Sequence, residues 1–119
     1  MKPLEIALVC WLIGCATASL LQFAAPRRVA ARSVWGIAPG WQREVAAWNF
    51  ALCLAIVYAL VSREESCKIL VGQTIAGLSA LLGVNHLAAL RLEPTLMHTA
   101  GILANGLGLA LIVWGLLSG

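Results

Sequence analysis

Four apolar runs dominate this chain: residues 4–25, 45–61, 69–90 and 95–118. A helix needs about 20 apolar residues to cross the hydrocarbon of a bilayer. Each run meets or approaches that length, and together they take up most of the 119 residues. Only 11% of the chain is charged, against 61% hydrophobic, too little charge to cover the surface of a soluble domain this small. A helix bonds every backbone group within itself, as lipid demands. The strand alternation of a transmembrane barrel is absent. The expected architecture is therefore all-α, an integral membrane four-helix bundle forming a single transmembrane domain over residues 1–119. No basic stripe points to nucleic acid. The bilayer is the first partner that the composition implies.

The punctuation between the runs sets the topology. Leu12-Ile13-Gly14-Cys15 resembles a lipoprotein cleavage box, and Ala16-Thr17-Ala18 a signal-peptidase site. The apolar run continues past both to Ala25, and Glu5 spoils a basic leader, so the first segment reads as a retained span. Residues 26–44 follow, with Arg27, Arg28 and Arg32 in a basic cluster and Trp35 and Trp41 around Gly36, Pro39 and Gly40. Tryptophan favours the headgroup zone, so this stretch reads as an interfacial loop that anchors the bundle rather than as a lid over a site. The polar turn 62–68 makes the second and third spans antiparallel neighbours. Pro94 breaks the helical pattern between the third and fourth spans, because proline lacks a donor N–H and clashes one turn back.

Small residues recur at helical spacing in the last two spans. Gly72, Ala76, Ser79, Gly83 and His86 share one face; Gly101, Asn105, Gly108, Ile112 and Gly115 share another. Such rows let helices approach closely, and the two are expected to pack against each other. The four cysteines, Cys10, Cys15, Cys53 and Cys67, lack metal or redox spacing and read as small apolar packing residues.

Polar groups inside apolar spans are costly, and they pair or work. Glu44, Asn49, Asn85, His86 and His98 all fall toward the face that carries the loop and the Pro94 break. They form the candidate ligand-binding set. Histidine titrates near neutral pH, so His86 and His98 would ligate or shuttle protons, Glu44 would accept a proton, and the two amides would orient a ligand. His86, His98 and Glu44 could make a two-histidine, one-carboxylate metal set. The two histidines could alternatively hold a haem. Against these stands the plain reading that the groups satisfy one another: adjacent Asn85 and His86 point about 100° apart on a helix, and interhelical amide bonds are ordinary glue. No cofactor is assigned and no metal is expected.

Arg27, Arg28, Arg32, Arg43 and Arg91 lie on the loop face, against Lys2, Arg63 and Lys68 on the other. The positive-inside tendency then places the loop face in the cytoplasm and both termini outside it.

The run Gln42-Arg43-Glu44-Val45-Ala46-Ala47-Trp48-Asn49-Phe50-Ala51 resembles the opening of the second helix in small bacterial four-helix membrane proteins of the DoxX-like type. The turn from Arg63 to Lys68 and the Asn85-His86 region share in that likeness. The resemblance implies a four-helix layout in a bacterial inner membrane. Some proteins of that type are linked to quinone or thiol-redox systems. No functional residue is carried over, since the cysteines here form no redox pair and the first loop is unusually basic and tryptophan-rich.

No nucleophile–base pair, phosphate loop or HExxH occurs, and the reading is not that of an enzyme. An accessory or scaffolding membrane protein, acting with a second copy or a membrane partner, is the leading expectation. A binder of a quinone or lipid at the polar cluster is the first alternative. A proton-coupled transporter, dimeric across the glycine-rich faces, is the second.

Overall fold

A computed structural model describes residues 1–118. Five helices form: α1 (Pro3–Ala24), α2 (Pro26–Ala30), α3 (Pro39–Val61), α4 (Glu65–Leu92) and α5 (Leu96–Leu117). Four of them, all but α2, are long and apolar enough to cross a membrane. The fold is an all-helical, membrane-type four-helix bundle with no strand among the described residues. Its longest dimension is 42 Å, enough to cross a hydrocarbon layer of about 30 Å and reach both headgroup zones.

Local chemistry sets the helix ends. Pro3, Pro26 and Pro39 each open a helix at its first turn, where a missing N–H costs nothing. Helix α3 therefore starts at Pro39, and residues 39–44, expected in the loop, form its first turns. The expected loop also contains α2. Helix α4 stops at Leu92, since Glu93 precedes Pro94 and takes an extended conformation. Thr95 caps α5, its Oγ1 accepting the His98 N–H at 3.3 Å.

Helices α1 and α5 make the central contact, with α3 along α1 and α4 along α5. The apolar core is Leu4, Ala7, Leu8, Ile56, Ile75 and Ile112. These residues lie near the start of α1, the end of α3, the start of α4 and the end of α5, so the core occupies the half of the bundle that holds the termini. The other half packs small groups and bonds across helices. There the Ser19 hydroxyl donates to the Ala46 carbonyl at 2.8 Å, tying α1 to α3; at mid-bundle, where Trp11 packs against the core, its indole donates to the Gly108 carbonyl at 3.2 Å, tying α1 to α5.

The two small-residue rows meet only in part. Gly83 lies against Asn105, and a Cβ on Gly101 would sit 2.6 Å from the His86 ring, so these positions join α4 to α5 as expected. Gly108 instead receives the Trp11 ring and Gly115 the Leu4 backbone, both from α1. Gly101, Gly108 and Gly115 thus serve two different neighbours within one chain, whereas a Cβ on Gly106 would meet open space.

Candidate functional site

His86 sits in the last two turns of α4, and His98 in the first turn of α5. The Pro94 break reverses the chain between them, so the two rings face each other across the hairpin. Their Nδ1 atoms lie 3.1 Å apart and their ring centroids 5.4 Å apart. His98 is completely buried, whereas His86 is half-buried.

The loop after α2 closes over this pair. Gly36 has φ +81°, a left-handed conformation that a residue with a Cβ seldom adopts, and it turns the chain next to Trp35. The Val34 N–H donates to His98 Nε2 at 3.3 Å. The Trp35 ring packs against both imidazoles, edge-on to His98 at 4.8 Å between centroids and tilted against His86 at 5.3 Å. The loop segment read from sequence chiefly as an anchor is therefore also a cover for the histidines.

The hydrogen-bond pattern assigns the tautomers. His98 Nε2 accepts from Val34 and so carries no hydrogen. A neutral His98 then carries its hydrogen on Nδ1 and donates it to Nδ1 of His86. The chain of bonds runs Val34 N–H to His98 to His86. A metal ion held by the two facing nitrogens needs a lone pair on each. That would move the His98 hydrogen to Nε2, against the Val34 N–H. The arrangement does not fit a metal. It does not fit a haem either, since rings in direct hydrogen-bond contact leave no space for a porphyrin between them. Among the described residues no three His, Cys, Asp or Glu side chains converge on one point.

The other members of the expected set stand apart. Glu44 and Asn85 are exposed. Asn49 donates to the Val45 carbonyl of its own helix at 2.9 Å. Asn105, expected as a packing residue, is buried against Gly83 and donates to the Gly101 carbonyl of its own helix at 2.8 Å. The structure thus brings together His86 and His98, and among the described residues no hydrogen bond joins Glu44, Asn49 or Asn85 to them. Sequence reasoning did not assign Val34 or Trp35 to the cluster; the turn signal at Gly36, directly after a tryptophan, was the available clue.

A second polar centre lies at the opposite face, contrary to the reading that polar groups gather at one end. The Lys68 ammonium donates to Glu5 Oε1 at 2.7 Å and lies 3.6 Å from Glu65 Oε2. The Lys2 ammonium reaches the same Glu65 oxygen at 3.3 Å, and the Lys2 N–H donates to Glu5 Oε2 at 3.0 Å. Two carboxylates and two ammonium groups alternate there and balance one another. The acidic Glu5, out of place in a leader, is the link that ties α1 to α4.

Comparison with protein-family models, with curated proteins and with solved structures found no match.

Proposed function

We propose that this chain is an accessory membrane protein that acts by association, its working part being the loop 31–38 held at one membrane face. The observation that carries the reading is the bond chain from Val34 through His98 to His86, roofed by Trp35. Buried polar groups that satisfy one another rigidify what they hold. Here they fix a loop of the headgroup zone to the α4–α5 hairpin, so the histidines shape a surface instead of reacting. The bias of basic residues toward that face supports a cytoplasmic placement for it, with the termini on the outer side. The DoxX-like pattern of the second span supports a bacterial inner membrane.

Blue-native electrophoresis of gently solubilised membranes containing the full chain tests this. The expected result is migration in a heteromeric assembly well above the 12.6 kDa chain. His98→Ala should release the chain from the assembly. His98→Gln, which can accept from Val34 and donate to His86, should retain it. Migration of the natural chain only alone or with copies of itself would overturn the reading. Equal loss in both variants would do so too, since it would mean that the imidazole has work beyond holding the loop.

A further inference from the structure

We infer that the cleft between the end of α1 and the start of α3 binds the headgroup of an anionic phospholipid. The cleft has a volume of about 720 Å³. It is lined by Ala24 and Ala25, by the helix-opening prolines Pro26 and Pro39, and by Arg27, Arg28 and Arg43. An anionic amphiphile matches this mixture of apolar and basic lining.

Among the described residues the three guanidiniums have no acidic partner. All ion pairs among the described residues lie at the opposite face, around Lys68. Arg27 and Arg28 come from α2, and Arg43 comes from the second turn of α3, so two separate elements bring their charges to one opening. A guanidinium offers a planar fork of donors that matches two phosphate oxygens, and it is weakly hydrated enough to work at an interface. The long helix α3 adds to the field. Its N-cap residue is Ala38, which makes no side-chain cap bond, so the positive end of the helix beside the cleft is not neutralised by a cap.

Position chooses the source of the phosphate. The cleft opens where the apolar run of α1 ends, which is the level of the headgroups for a helix that crosses the bilayer. Trp41, in the first turn of α3, is 61% exposed at the same level, the usual place for an interfacial tryptophan. A phosphate at that depth already belongs to a lipid. The alanines and prolines beside the arginines continue the apolar surface of α1, along which the glycerol and acyl chains can run. A free phosphate ion would use only the arginines and leave that surface wet.

The test is a native mass spectrometry titration of the full chain in detergent, with phosphatidylglycerol, phosphatidylcholine and inorganic phosphate as separate probes. One phosphatidylglycerol should bind per chain, with phosphatidylcholine much weaker and inorganic phosphate at millimolar concentration unable to displace it. In the triple variant Arg27→Gln, Arg28→Gln, Arg43→Gln the affinity should fall about 100-fold, the product of three basic contacts near a membrane surface. The triple lysine variant should fall between the two, as charge stays while the fork is lost. Arg63→Gln, at the opposite face, should leave binding unchanged. Circular dichroism of each variant checks that the helices remain, and the single Arg43→Gln variant gives a readable partial loss if the triple variant does not fold. Equal binding of the two lipids, or unchanged binding in the variants, would overturn the inference. Displacement by inorganic phosphate would overturn it as well, by making the site one for a soluble anion.

Discussion

The two faces of this bundle close in different ways. At the face that holds the termini, Lys2, Glu65, Lys68 and Glu5 form an alternating chain of charges over a core rich in leucine and isoleucine. At the loop face, neutral imidazoles, a backbone N–H and an indole close over a half of the bundle packed with small residues. The first arrangement is electrostatic and open to salt. The second depends on shape and hydrogen-bond direction. Four helices can thus be fastened at one end by charge and at the other by directional hydrogen bonds beneath an indole.

The comparison can be broken hardest at Gly115. A Cβ there would lie 2.7 Å from the Leu4 Cα and 3.0 Å from its N, so the backbone of α1 must move. Gly115→Ala should lower unfolding stability in mixed detergent–SDS micelles by about 3 kcal/mol, the upper part of the range for overpacking. It should also separate Glu5 from Lys68 while leaving the histidine cluster intact. His98→Ala is the corresponding break at the loop face. It leaves the Val34 N–H without its acceptor and His86 without its donor, at a cost of about 2 kcal/mol. Quenching of Trp35 fluorescence by a soluble quencher should rise as the cover loosens, measured in a chain whose other tryptophans are replaced by phenylalanine.

Salt sharpens the contrast. Lys68→Met should lower the unfolding midpoint by less than His98→Ala, since water reaches part of the charge network. The difference between Lys68→Met and the natural chain should shrink in 1 M salt, where screening acts within about 3 Å. The effect of His98→Ala should not change with salt. A salt-independent Lys68→Met effect would remove the distinction between the faces. The smallest effect is expected at Gln22, whose Oε1 is buried without a hydrogen-bond partner. Gln22→Leu should stabilise the bundle by up to about 1 kcal/mol, because an unsatisfied buried acceptor is replaced by an apolar group. It should do so without altering either polar centre.

Much of the fold was legible because lipid imposes a simple rule. A run such as 95–118 must be a helix if it is to cross, and Pro94 marks where the last hairpin turns. The pairing of His86 with His98 was within reach for the same reason, since the two flank one short break. The remaining set failed on particular grounds. Glu44 belongs to a helix that starts at Pro39, which leaves it exposed. Asn49 bonds to the carbonyl four residues back, an outlet that every helix offers its amides. Glu5 and Lys68 are 63 residues apart, and nothing local ties them together.

The sequence by itself determined the class of the protein: four long apolar helices and the break at Pro94 that sets the two histidines on one hairpin. Those follow from backbone hydrogen bonding and apolar length, which act over short stretches of chain. Only the tertiary structure decided which polar groups meet. Gly101 and Gly115 lie on one row of α5, yet one faces an imidazole of α4 and the other the backbone of α1. Val34 and Trp35 reach the histidines because the loop folds back over the hairpin. Arg43 joins Arg27 and Arg28 because α3 begins beside the end of α1. These meetings depend on how whole helices cross and on where a loop returns, distances that no spacing along the chain encodes.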